Sequence, residues 1–235
     1  MDRVANSTAE MNMKFLGLYP DSIVARVRAS PKPTRVPTLA GSLAVGAGGF
    51  CLVGAVVSIG KTAAHEPLQN QVGEIAANAC WAALFILMGG GLLSRLVIGP
   101  GRLLRFYILF ALAFLLYGTA WTAAVLPLRN KLGEWLGSLL GTAMMGLTFA
   151  TGFDALRQAV KVIVVLFLTR SAGYLCAESL HGLVPGMAGS LLWGLPFGLG
   201  LGTGLGYALH ACQEPARAAL KTLADARDSS RQIRR

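Results

Sequence analysis

The sequence predicts an all-α polytopic membrane protein, a six-transmembrane-helix bundle with both termini cytoplasmic. Three observations predict it. Of 235 residues, 54% are hydrophobic and 14% charged, whereas roughly a quarter of an average soluble domain is charged. Six apolar blocks, roughly 37–60, 75–98, 103–126, 133–153, 158–178 and 186–211, approach or meet the ~20 residues that cross a bilayer as a helix. Finally, Lys and Arg alternate between the connecting segments. Those on the side of the termini carry 17 and those on the other side carry 3, the asymmetry expected of cytoplasmic and non-cytoplasmic faces. Blocks of this length must be helices, because hydrocarbon offers an open backbone no partner.

Residues 1–36 form a basic arm that reads, with Pro31 and Pro33, as a flexible cytoplasmic lead-in. The first apolar block starts too far along the chain for a cleavable signal peptide, so the first span is expected to be retained. Asn6-Ser7-Thr8 matches the glycosylation tripeptide but falls on the cytoplasmic side, where it would stay unmodified. The transmembrane domain is expected over 37–212. Its first block is rich in glycine (Gly41, Gly46, Gly48, Gly49, Gly54) and is followed by the longest internal polar loop, 61–73. Gly99-Pro100-Gly101 and the few residues near Asp154 leave room only for tight antiparallel hairpins. In the sixth block Gly186, Ser190, Gly194, Gly198, Gly202 and Gly206 recur every four residues, and Gly200 with Gly204 adds a second row. Such spacing makes a smooth stripe for a neighbouring helix or a flat ligand. Pro196 interrupts that helix and can open a cavity beside it. Trp81, Trp121, Trp135 and Trp193 lie near block ends, where indoles anchor at the interface. The basic tail 213–235 places Leu220 and Leu223 among Arg217, Lys221 and Arg227, as either a surface helix or a solvated tail.

The net charge of +10 has no compact stripe and no nucleic-acid motif, so it faces the membrane. Cys51, Cys80, Cys176 and Cys212 make no CxxC pair and no disulfide framework. His65, His181 and His210 fall in no HExxH, and Met187-Ala188-Gly189 before Ser190 is not a nucleophile elbow. No catalytic residues, metal site or cofactor are expected, a bound lipid aside. Two polar positions stand out instead. Arg170 is the basic residue well inside a span, either facing the bundle interior or reaching toward Glu178. Asp154, before the fifth block, reads as a helix cap or as a polar contact for a partner.

The run Trp135-Leu136-Gly137-Ser138-Leu139-Leu140 through Gly146-Leu147-Thr148-Phe149-Ala150-Thr151-Gly152-Phe153-Asp154, followed by Arg157, resembles the fourth helix and Phe-Asp-x-x-Arg turn of the Insig (insulin-induced gene) family. Trp193-Gly194-Leu195-Pro196-Phe197 and the glycines beyond are similar to the opening of that family's last helix. The likeness covers about a third of the chain, and it departs from the family at Ala150 and Thr151, which replace a tryptophan pair, and at Arg170, which replaces a small apolar residue. The resemblance implies a non-enzymatic sensor or regulatory protein. Such proteins bind a sterol or, in bacterial relatives, a glycerolipid such as diacylglycerol, and contact a second membrane protein. It implies a partner-binding role for Asp154 and Arg157 and places Thr142 near the lipid. The expected lipid pocket, near helices four to six, takes Thr142, Phe149, Arg170, Phe197 and Gly198. The membrane would be the plasma membrane of a bacterium or the endoplasmic reticulum of a eukaryote. A small six-helix transporter or channel is the alternative.

Overall fold

A computed structural model describes residues 16–31 and 34–233, those from 226 onward as backbone only. Asn6-Ser7-Thr8 and Pro33 lie outside the described residues. Among the described residues the fold has eight α-helices and no strand: α1 Pro20–Ala29, α2 Leu39–Val72, α3 Glu74–Leu93, α4 Arg102–Leu128, α5 Lys131–Gly152, α6 Ala159–His181, α7 Gly186–Cys212 and α8 Glu214–Ile233. Short 3₁₀ turns, Ser94–Leu96 and Leu156–Gln158, end α3 and precede α6. Four segments are long and apolar enough to cross a membrane: Leu39–Val72, Glu74–Leu96, Arg102–Leu128 and Leu156–His181. The other two long helices, α5 and α7, are diluted by glycine and threonine, and much of their surface is turned toward neighbouring helices.

Local chemistry sets the boundaries. The Thr38 hydroxyl accepts from the Gly41 amide and the Asn130 side chain from the Gly133 amide, capping α2 and α5. Pro20 starts α1, with Asp21 in its first turn and Arg26 and Arg28 in its last, charges that suit the helix dipole. Gly73, at φ +84°, breaks the chain between α2 and α3. The polar loop expected over 61–73 is therefore helical. Nothing in that stretch removes backbone donors except Pro67, which the helix accommodates, so α2 runs 34 residues, or ~51 Å. That is longer than the ~30 Å of bilayer hydrocarbon.

Within the arm, residues 16–31 pack against the bundle, whereas 1–15 lie outside the described residues. Leu16, Leu18 and Ile23 are buried, in one core with Val97 and Ile98 of the α3–α4 connection. Arg26 donates to the Gly17 carbonyl and to Ser22 Oγ at 2.9 Å. The basic tail forms α8, which packs against α1. Between α7 and α8, buried Gln213 accepts from the Ile98 amide at 2.8 Å and donates to the Leu96 carbonyl at 3.1 Å, tying the last turn to the α3–α4 hinge.

Successive helices α2 to α7 run antiparallel, each against the next, and the ring closes where α7 packs against α2. Inside, phenylalanines join several helices. Phe50 of α2 meets Phe85 and Phe110 edge-on at 5.4 and 6.3 Å, and Phe106 of α4 stacks on Phe149 of α5 at 6.4 Å. This column fills the half of the bundle nearer α1 and α8, with Leu201, Leu205 and Leu209 of α7 in the same core.

Candidate functional site

The glycine stripe of α7 divides between two neighbours. A Cβ on Gly194, Gly198, Gly202 or Gly206 would overlap backbone atoms of α2, at Gly54, Phe50, Gly46 and Ser42 respectively. A Cβ on Gly200 or Gly204 would overlap Thr169 of α6, and Gly173 of α6 lies against Pro196 and Gly200. Both seams of α7 are thus closed backbone to backbone. Gly198, expected at the lipid, is taken up by α2, and α7 packs closed against α6 at Pro196, where a cavity was expected.

The α5–α6 pair behaves differently. Toward α4, α5 presents Gly133, Gly137 and Gly141. Toward α6 it presents one glycine, Gly146, against Ile163, and then the larger Ser138, Trp135 and Glu134. The two helices pack closely at Gly146 and leave a cleft toward the Lys131 end. Glu134, Trp135 and Ser138 of α5 and Arg170, Tyr174 and Glu178 of α6 line it. Its volume is about 110 Å³, against the 300–1,000 Å³ typical of sites that enclose a drug-sized molecule. The space suits a polar head group, with the remainder of a larger ligand outside. Trp135 and Leu175 at the rim are 43% and 49% exposed.

Arg170 dominates this cleft. It lies eleven residues from either end of α6, ~16 Å along the axis. Of the two orientations open to it, it takes the interior one: it is 6% exposed and does not reach Glu178. Its Nε donates to Tyr117 Oη of α4 at 3.0 Å, and its guanidinium carbon lies 5.0 Å from the Tyr174 ring centre and 5.7 Å from that of Phe197. Ring faces attract a cation without neutralising it. Among the described residues Arg170 makes no salt bridge. Its two Nη atoms carry no hydrogen bond there, and they are not sealed from the cleft.

The carboxylates nearby are engaged elsewhere. Glu134 Oε2 accepts from Lys131 Nζ at 2.9 Å and Tyr174 Oη at 3.1 Å, and Glu178 Oε1 accepts from Trp193 Nε1 at 2.9 Å. Ser138 and Ser171 share a hydrogen bond of 3.3 Å across the floor. Of the pocket residues expected from sequence, Arg170 lines the cleft and Phe197 touches its guanidinium. Thr142 is buried and donates to the Ser138 and Leu139 carbonyls, and Phe149 belongs to the phenylalanine column. Sequence reasoning missed Tyr117, Tyr174 and Glu134. Tyr174 at i+4 from Arg170 was a readable signal; Tyr117 is 53 residues away and gave none.

Asp154 and Arg157 come together at the opposite end, along a wide surface groove between the α5–α6 turn and α8. Asp154 does not cap α6, which begins five residues later behind Gln158. It instead ends α5. With φ at +54°, it sends its amide to the Thr151 carbonyl at 3.2 Å, while the Ala155 amide reaches Ala150 at 2.7 Å. That pair of bonds is a Schellman termination, with Asp where glycine is usual. Gln158 Nε2 donates to Glu214 Oε2 at 2.5 Å, joining this turn to α8.

Comparison of the chain with protein-family models, with curated proteins and with solved structures finds no match in any of the three.

Proposed function

We propose that this chain is a non-enzymatic integral membrane protein of six spans, α2 to α7, that binds a membrane lipid and acts as a sensor or regulator in the manner of the Insig family. The observation that carries the reading is Arg170. A cation at the middle of a membrane helix is costly unless function retains it. Here it sits without a salt-bridge partner in a cleft where exposed Trp135 and Leu175 stand beside Lys131, Glu134 and Glu178. That arrangement suits a molecule with one polar group and an apolar body, entering sideways from the bilayer. Helices α1 and α8 pack together at one end with the more basic connections, which supports a cytoplasmic location for that end.

Sterols and diacylglycerol-like glycerolipids both have this build. Thr142 supports the site from behind, one turn from Ser138 on the same helix, whereas Phe149 packs on Phe106 away from it. Asp154 and Arg157, on the groove at the basic end, are the surface proposed for a second membrane protein. The transport reading has weaker support, because Phe106, Phe110 and Phe149 stack in one core across the half of the bundle beyond the cleft.

The test is purification of the whole chain in a mild detergent, then lipid extraction and mass spectrometry. Near-stoichiometric recovery of one lipid class is expected. Lipid-free protein that passes a small solute when placed in liposomes would replace this reading with transport.

A further inference from the structure

Resting on the lipid-binding reading, we infer that the α5–α6 cleft selects an amphiphile with a single negative charge on its head, a long-chain carboxylate, and holds that head on the two Nη groups of Arg170. Arg170 is 6% exposed and lines the cleft, its Nε is taken by Tyr117, and its terminal nitrogens have no hydrogen-bond partner among the described residues. A guanidinium edge presents parallel N–H groups at the spacing of carboxylate oxygens, so a planar carboxylate makes two charge-assisted bonds there.

Charge decides between head groups. At mid-membrane depth the cost of an ion grows steeply with its net charge, so a monoanion that cancels Arg170 is preferred over a phosphomonoester that overshoots it. Neither carboxylate of the cleft bonds Arg170: Glu134, which feels the Arg170 charge through space, is held by Lys131 and Tyr174, and Glu178 by Trp193. The volume points the same way. About 110 Å³ admits a carboxyl and its first carbons and leaves the chain outside. The chain then has an apolar seam to follow, where Trp135 meets Phe167 at 6.1 Å beside exposed Leu168 and Leu139.

The experiment uses the full chain in nanodiscs of uncharged lipid, reading equilibrium displacement of a spin-labelled stearate that quenches tryptophan. Stearate should compete at least about tenfold better than stearyl alcohol, a ratio set by the charge-assisted bonds. Arg170→Gln should erase that ratio, and Arg170→Lys should restore part of it. Equal competition by acid and alcohol in the natural chain overturns the inference, and this comparison stands even if the Gln variant fails to fold. With spin-labelled diacylglycerol and sterol tested directly by the same quenching, tight binding of either with none of stearate sinks the head-group assignment while sparing the lipid-binding reading. Binding of none of the three sinks both. Acetate competing as well as stearate, or a phosphomonoester lipid competing better, also overturns the proposal.

Discussion

Helix α6 has two long neighbours, and it meets them in opposite ways. Against α7 it closes to backbone contact through Gly173, Gly200 and Gly204. Against α5 it closes at Gly146, meets again where Ser171 bonds Ser138, and then parts around Trp135 and Arg170. The difference comes from where each helix points its glycines. In a bilayer, helices associate through close packing and polar contacts more than through burial of oil, so a helix pair closes only where side chains are small. Placing α5's first three glycines toward α4 leaves the α5–α6 seam with larger side chains and a cleft between them.

The largest expected effect is on the closed side. Gly202→Leu drives a branched side chain into the Gly46 carbonyl of α2, which cannot move aside as a side chain would. It should prevent the ring from closing and leave no monodisperse protein on size-exclusion chromatography. A well-behaved Gly202→Leu protein would mean that α2 and α7 do not touch there.

Next in size is Phe149→Ala. As part of the column with Phe106, its loss should cost about 3–5 kcal/mol, measured by detergent-titrated unfolding, with lipid affinity of the folded fraction unchanged. Lost affinity at full stability would instead return Phe149 to the ligand.

Arg170→Met tests the open side. A cation without a salt bridge weighs on the fold, and an apolar residue of similar length should raise stability by about 1–2 kcal/mol while lipid binding falls. A large loss of stability would make Arg170 a structural strut through Tyr117. The smallest effect is at the turn. Asp154→Gly keeps the left-handed termination of α5 and removes the carboxylate, so stability should rise by about 0.5 kcal/mol. Any loss of partner capture in that variant then reports on the carboxylate alone.

Much of the fold was legible because its signals are local. Block lengths located the six long helices, and the four-residue glycine period identified a close-packed face of α7. The period could not say that two neighbours share the stripe, since that depends on the ring closing between α2 and α7. Residues 61–72 looked like a loop because their side chains are polar, yet a helix leaving the hydrocarbon can continue in water. Asp154 preceded a helix, as a cap does, but the positive φ that makes it a terminator is not a feature of residue type. Arg170 was found because intramembrane charge is rare. Its partners were not, because Tyr117 and Glu134 come from other helices.

The most direct measurement is photo-crosslinking of the full chain in membranes with a long-chain lipid carrying a diazirine near its head, followed by peptide mapping. Labels concentrated on 131–138 and 170–178 are expected, which are the two walls of the cleft. Labels concentrated on 194–206, or spread evenly over every outward-facing helix, would contradict an open α5–α6 seam as the place where lipid binds.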